Sequence, residues 1–448
     1  MKRVLILLLW AGLAGAAAAN ELTLLDEGMA VTGAARVPLL GTLQDVTVLT
    51  EADIARAHAR SLSDLLRRVP GLTIEDQSGD CSDPLVMAGG YTDWNIRATV
   101  LVDGIPMTRL INGSVAWSQA PPLALVRRIE IRRGSGAPLY GSAVGVTVLV
   151  FLKDGLSAPA GEVDAAVTAG SGSSISGCVR GMDGNLQVAA AVEREVNQGW
   201  RDNADYRATR FALRGGLLLS PQSDLAFGLS LVDDATGWPG PLDRGTRERA
   251  RESTLQRDDG AERDVASGYL RYQRDFLPEL RWEGTAEYQG EQVDWYTAGQ
   301  AILTNGWQAG TRQQVTWLTA VGATQHQVVA GGEYRTSWVD ATTCTAPQRQ
   351  RTGQIDNDAY KINRGSLFVD DYITLFDWPV YFEAGARYDR ARYTCDDHGN
   401  PAAGGGAVYG MGSPVIGAGW RYIREGLFWT RWSRTMIDFE AYWGGTSS

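Results

Sequence analysis

The residue types able to do covalent or metal chemistry are sparse and poorly spaced for it. Serine, histidine and aspartate all occur, but no G-x-S-x-G nucleophile elbow does. No catalytic residue is nominated, and the chain does not read as an enzyme. The only histidines are His58, His326 and His398, and the cysteines show no C-x-x-C spacing. No protein-held metal or cofactor is therefore expected. Four cysteines, an even count, permit disulfides in an oxidising compartment. Cys344 and Cys395 both lie in loop-proximal segments and are the favoured pair, while Cys81 with Cys178 has less support. The acidic pairs Asp233-Asp234, Asp258-Asp259 and Asp396-Asp397 read as solvated loops rather than calcium ligands. Recognition chemistry remains. Tyr91, Trp94 and Arg97 lie close together, and Trp117 follows Asn112-Gly113. Such groups hold ring-bearing anions by stacking and charge-assisted hydrogen bonds. Ordinary loop packing accounts for them at least as well.

The elements that must position these residues fall into two blocks. Leu43 to Lys153 reads as a small α+β domain. Val46 to Leu49 alternates as a strand. Thr50-Glu51-Ala52-Asp53 and Ser61-Leu62-Ser63-Asp64 are helix starts, in which a hydroxyl caps the first amides and the acid reaches back. Pro70-Gly71 stops the second helix. Val100-Leu101-Val102 meets Ile105 across Asp103-Gly104, a hairpin signal. Ile129 to Arg133 is a further strand, followed by a glycine-rich stretch around Leu139-Tyr140-Gly141.

These pieces, in this order, resemble the plug of TonB-dependent outer-membrane receptors. The match rests on Thr50 to Ile54, Ser63 to Leu72, Val100 to Pro106, and Val126 to Gly141. Two departures are local. Val86-Met87-Ala88-Gly89-Gly90 replaces the usual I-R-G, and the usual Asn is missing from Val146 to Leu149. The resemblance makes Glu27-Gly28-Met29-Ala30-Val31-Thr32-Gly33 the TonB box, which a periplasmic partner captures by strand addition. It places Glu130, Arg132 and Arg133 in the segment whose ion pairs hold plug to barrel. It also makes the loops bearing Tyr91, Trp94, Arg97 and Trp117 plug apices that would meet a small siderophore-like chelate.

The second block is a barrel in the making. Lys2 and Arg3, an apolar run from Val4 to Leu13 and Ala17-Ala18-Ala19 read as a signal peptide over residues 1–19. The remaining divisions are a box segment (20–41), the plug (42–156), a linker (157–161) and a partial barrel (162–448). In the barrel, Leu280, Trp282, Gly284, Ala286 and Tyr288 alternate with Arg281, Glu283, Thr285, Glu287 and Gln289. Val380, Phe382, Ala384, Ala386 and Tyr388 do the same against Tyr381, Glu383, Gly385, Arg387 and Asp389. Alternation of this kind suits strands with lipid on one side and a polar lumen on the other. Residues 219–224 and 275–279 read as short turns, and 236–263 and 295–310 as long loops. Gly199-Trp200-Arg201-Asp202-Asn203 also matches receptor barrels.

About thirteen strand candidates follow Gly161, against roughly twenty-two in the family barrel. A plug of this size is ~36 Å across, whereas a closed barrel of about fourteen strands has a backbone diameter of only ~28 Å. The sheet is therefore expected to be an incomplete barrel that stays open, with strands near Val163–Val167 and Leu427–Trp432 unpaired with each other.

Charged residues make up 21% of the chain and the formal charge is −10, which argues against nucleic-acid binding. By resemblance, the chain is expected in the outer membrane of a Gram-negative bacterium. Its partners would be outer-membrane lipid, a TonB-type energy-transducing protein and a scarce chelated nutrient. A ferric siderophore is the first expectation and cobalamin the second. A transport-incompetent remnant or surface ligand-binding protein is the alternative of a different class.

Overall fold

The computed structural model describes residues 29–32, 35–38, 43–75, 85–87, 98–134, 138–141, 145–155, 160–168, 172–376, 378–399, 404–423 and 426–433. The signal-peptide segment, Glu27, Gly28, Gly33, Tyr91, Trp94, Arg97 and Cys81 lie outside the described residues.

The N-terminal part begins with a hairpin of β1 (Met29–Thr32) and β2 (Ala35–Pro38). The plug follows, with β3 (Asp45–Thr50), α1 (Glu51–Ala57), α2 (Leu62–Leu66), β4 (Thr73–Glu75), β5 (Leu85–Met87), β6 (Ala98–Val102), β7 (Ile105–Pro106), β8 (Val126–Arg133) and β9 (Val146–Leu152). Five of these strands form one sheet in the order β3-β8-β9-β6-β7, with β6 parallel to β9.

Local chemistry sets the helix starts. The Thr50 hydroxyl accepts from Asp53 N–H at 3.3 Å, and the Asp53 carboxylate accepts from Thr50 N–H at 3.0 Å, a complete capping box. These bonds from the Thr50 hydroxyl and amide hold the Asp53 carboxyl below its usual range. At α2, Ser61 caps Asp64 N–H at 3.2 Å, and the acid reaches one residue further back, to Arg60 N–H at 3.1 Å. Gly71 ends the helical run at φ 82°, where a side chain would be strained.

Strand β8 lies between β3 and β9, and residues on both its faces are buried. Ile129 and Ile131 pack with Leu62, Leu65, Leu66, Leu125 and Val148 in the core. Each such side chain contributes about 1.5–3 kcal/mol by leaving water.

The rest of the chain is a single antiparallel meander. Its strands are β10 (Ala160–Thr168), β11 (Gly172–Asp183), β12 (Leu186–Asn197), β13 (Tyr206–Ser220), β14 (Ser223–Gly237), β15 (Gly260–Leu277) and β16 (Leu280–Thr297). Then come β17 (Gln300–Val321), β18 (Thr324–Thr345), β19 (Gly353–Leu375), β20 (Val380–Asp397), β21 (Gly405–Ile423) and β22 (Gly426–Ser433). The first wall strand thus starts at Ala160, inside the segment read as linker. All thirteen strands pair with their sequence neighbours, and among the described residues β10 and β22 do not pair with each other. The sheet is an open wall, an incomplete barrel, as the diameters require.

The wall reverses the usual order of a soluble sheet. Val163, Leu270, Leu367, Ile416 and Phe428 point outward and are more than half exposed, while Glu193, Gln289, Asp370, Glu383 and Arg387 face inward and are buried. An apolar outer band around a polar lumen is the pattern that lipid demands. No described helix is long and apolar enough to cross a membrane.

Two expectations need correction. The loop expected at residues 295–310 is a two-residue turn, because the ladder of β16 and β17 runs on to Thr297↔Gln300. Ala298 and Gly299 take φ 49° and 76°, the left-handed values of a tight hairpin. Tyr296, Ala301 and Ala346 form a small apolar cluster that supports the tip. The second correction concerns Cys344 and Cys395, which are free thiols. They sit on β18 and β20 with β19 between them, opposite Gln354 and Tyr360 respectively. Two strand spacings and six residues of offset separate them by ~20 Å, far beyond disulfide reach.

Candidate functional site

The plug meets the wall through polar contacts, and a cleft of about 180 Å³ lies between them. On the plug side it is lined by Thr99, Thr108, Asn112, Gly113, Tyr140 and Gly141. On the wall side the inward-facing Arg312, Arg335, Arg364 and Arg387 stand against Glu333 and Asp389, an excess of two positive charges. Alternation supplies these residues, because β17 to β20 turn every second side chain inward.

Glu333 organises the cluster. It pairs with Arg312 at 3.5 Å, with Arg335 at 3.4 Å and with Arg387. Arg335 also pairs with Glu287, and Arg387 with Asp389 at 2.7 Å. Two of the arginines reach the plug itself. Arg312 donates to the Leu139 carbonyl at 2.7 Å and Arg387 to the Pro138 carbonyl at 3.2 Å. Leu139 is fully buried between Val329 and Phe368, and the Arg312 guanidinium stacks 4.5 Å from the Phe368 ring centre. The glycine-rich plug segment is therefore docked by one apolar side chain and two charge-assisted bonds.

Higher on the wall, the plug loop after β7 is held by Glu291, which accepts from Leu110 N–H at 2.8 Å, and by Gln289, which donates to the Thr108 carbonyl at 3.0 Å. The Gly199-Trp200-Arg201-Asp202-Asn203 segment braces the long loop of residues 238–259, which carries α3 (Arg244–Arg249). Arg201 donates to the carbonyls of Gly240 at 2.7 Å and Ser253 at 3.0 Å. Asn203 donates to those of Trp238 at 3.1 Å, Gln256 at 2.6 Å and Asp259 at 2.8 Å. Burial draws the Arg201 pKa down from its usual value.

The structure redistributes the residues singled out from sequence. Glu130 is fully buried and bridged by Arg128 at 2.8 Å and Arg132 at 2.9 Å, both on its own strand. Arg133 pairs with Asp45 at 3.1 Å. These three ion pairs lie inside the plug, and Arg132 in addition lies within electrostatic reach of Tyr372 on the wall. Burial opposes the Arg132 charge, but Tyr140 and Glu130 hold its pKa above the ordinary value. Trp117 is 4% exposed and packs within the plug core. Met29, Ala30, Val31 and Thr32 of the box segment form β1, already paired with β2.

The sequence reading missed the wall arginines and the plug residue Asp103, whose wall partners are more than a hundred positions away. Only the inward parity of the strands hinted at the arginines. At the loop end, Asp356, Asp358 and Asp397 bring carboxylate oxygens within 4.8 Å of one another. Asp358 is already bonded by Tyr360, so one member of this acidic trio is engaged within the protein.

Residues 38–147 match the family model of the TonB-dependent receptor plug domain, and residues 187–443 that of the TonB-dependent receptor-like β-barrel. The chain is similar to the vitamin B12 transporter BtuB of Vibrio cholerae, with 37% identity over 163 residues, covering 34% of this chain and 25% of that protein. It is also similar to BtuB of Photobacterium profundum, with 31% identity over 174 residues, covering 36% and 24%. Among solved structures it resembles the unliganded ferric citrate transporter FecA, with TM-score 0.78 and 18% identity, covering 88% of this chain and 63% of that one. The siderophore receptor PiuA of Acinetobacter baumannii gives TM-score 0.72 and 16% identity, covering 89% and 65%. The chain thus spans a quarter of the curated relatives and under two thirds of these structures. A plug of this topology, set inside an antiparallel wall with a polar inner face and matched by both family models, places the chain in the TonB-dependent receptor family.

Proposed function

We propose that this chain serves a ligand-gated outer-membrane importer whose cargo is a small anionic chelate of the ferric siderophore or iron carboxylate kind. The observation that carries the reading is the cleft beside the plug, with four inward-facing arginines against two acids. Guanidinium groups bind carboxylate and catecholate oxygens in bidentate fashion, and enclosure between plug and wall limits screening by salt. Tyr140 adds an aromatic face at the same level. In this reading the short turns face the periplasm and the long loops the exterior. Ligand in the cleft would bias the plug, and a TonB-type partner would capture Met29–Thr32 by strand addition. The similarity to vitamin B12 transporters favours a corrinoid as the second reading.

The two readings separate in calorimetric titrations of the chain in detergent micelles, with iron(III) citrate and cobalamin as probes. Arg335→Gln with Arg364→Gln is expected to weaken iron(III) citrate binding at least about tenfold, the loss of one or two charge-assisted bonds. Unchanged iron(III) citrate affinity in that variant, or tight cobalamin binding that ignores it, would sink the anionic reading. For the box, Val31→Pro removes a backbone donor. It should abolish capture by a TonB-type partner and leave chelate binding intact; undiminished capture refutes the assignment.

A further inference from the structure

The hairpin turn at Asp103-Gly104 is joined to the wall more densely than a turn requires. Asp103 is 6% exposed. One carboxylate oxygen accepts from Leu152 N–H at 3.1 Å, at the end of β9. The other accepts from the Tyr269 hydroxyl at 2.9 Å and lies 2.9 Å from Arg214 Nε. The Asp103 carbonyl accepts from Arg271, which also lies over the Tyr269 ring. Arg214 in turn pairs with Asp154, two residues beyond β9, and Arg127 holds the same carboxylate at 2.8 Å. One guanidinium on β13 therefore ties together the hairpin turn, the exit of the last plug strand and the wall. Left-handed values of φ at Asp103 and Gly104, 47° and 84°, keep the turn narrow enough to fit.

Wall backbone also takes part. A Cβ on Gly228 would lie 2.3 Å from the Tyr269 ring, so the bare glycine seats the ring that carries the hydroxyl to Asp103. The opposite edge of the plug sheet is different. β3 pairs only with β8, over six residue pairs, and its residues are half-buried or exposed.

We propose that Asp103, with Arg214, Tyr269 and Arg271, is a retention latch that keeps the linker-side edge of the plug docked on β13 and β15 when the β3 edge is displaced. Holding follows from the geometry alone; only the source of the displacement rests on the import reading. An edge strand in one ladder comes away by breaking that ladder. The hairpin edge would have to strip a buried carboxylate of its two wall partners, Tyr269 and Arg214, and its carbonyl of Arg271, which costs far more than a surface pair.

The test is hydrogen exchange, read by mass spectrometry on the whole chain in detergent micelles. Segments 98–106 and 149–153 report the latch edge, and segment 45–50 reports β3. Asp103→Asn should speed exchange of the latch segments by at least about tenfold and leave 45–50 unchanged. Tyr269→Phe removes one hydroxyl and keeps the ring, so it should give the same pattern at about threefold even if the first variant fails to fold. Gly228→Ala changes a wall residue whose added Cβ meets the Tyr269 ring first, so it should copy Tyr269→Phe by displacing the ring. Equal acceleration of all three segments would mean a general loss of stability and overturns the latch. So does unchanged exchange at 98–106 and 149–153 in Tyr269→Phe. Neither result depends on whether the chain carries a ligand, so failure of the latch and failure of the import reading are separately visible.

Discussion

Replacing the Glu333 carboxylate by its amide should destabilise the docked plug and tighten anion binding at once. In Glu333→Gln, three arginines lose a common anion, but the loss is uneven. Arg335 keeps Glu287, and Arg387 keeps Asp389. Arg312 is left with neutral acceptors, the Leu139 carbonyl at 2.7 Å and Gln314 at 2.9 Å. At the Arg312–Glu333 separation of 3.5 Å, the attraction is about 5 kcal/mol for an effective dielectric of about 20. Part of that returns because the buried carboxylate no longer has to be stripped of water. The net cost should fall near about 3 kcal/mol, the low end for breaking a buried pair. That shifts the folding equilibrium roughly a hundredfold. Urea titration followed by tryptophan fluorescence, with parent and variant in the same micelles, measures it. The cleft meanwhile gains one unit of positive charge. A chelate bound at ~7 Å would gain about 1–2 kcal/mol, so iron(III) citrate should bind at least several-fold more tightly. A stability change below about 1 kcal/mol would refute the claim that Glu333 organises the arginines. Weaker chelate binding in a folded variant would refute the electrostatic account of the cleft.

Two further outcomes follow from local geometry. Thr50→Ala removes the hydroxyl half of the α1 capping box and should cost about 0.5–2 kcal/mol in the same titration. Because the folded-state pKa of Asp53 is depressed, its contribution is present above the unfolded carboxylate pKa of about 3.9 and is lost as pH falls through the lower folded value. The Thr50→Ala penalty should therefore shrink in acid, and a penalty independent of pH down to strong acid would contradict the cap. Asn203→Ala removes three bonds to loop carbonyls, and trypsin should cut the chain between Arg244 and Arg251 at least about tenfold faster; an unchanged cutting rate would show that the loop is held by something else.

Much of this protein is written in short-range spacing. The capping residues Thr50 and Ser61, the stop at Gly71 and the turn at Asp103-Gly104 act over a few positions, so the sequence alone locates them. Strand parity works in the same way. The alternation at Leu280–Gln289 and Val380–Asp389 already says which residues face lipid, because a strand turns every second side chain to the same side. Even the open wall follows from counting, since a plug of ordinary density does not fit inside a small closed barrel. Composition also set the limits on chemistry, with few histidines and no nucleophile elbow.

Tertiary structure decided what depends on partners far along the chain. Residues 295–310 look like a loop by composition, yet they continue a ladder because β16 and β17 have each other to pair with. Cys344 and Cys395 look alike by position, but β19 runs between them. Glu130 and Arg132 find their opposite charges on the same strand, so they brace the plug from within. Asp103 has no local sign of importance beyond its turn, since Arg214 and Tyr269 reach it only when the wall curves around the plug. The arginine cleft is the clearest case. Its members lie on four neighbouring strands, and only the register of the meander brings them to one height beside Tyr140. Periodicity fixes the face a side chain points to, whereas the height at which it meets another strand depends on the pairing register of the whole sheet.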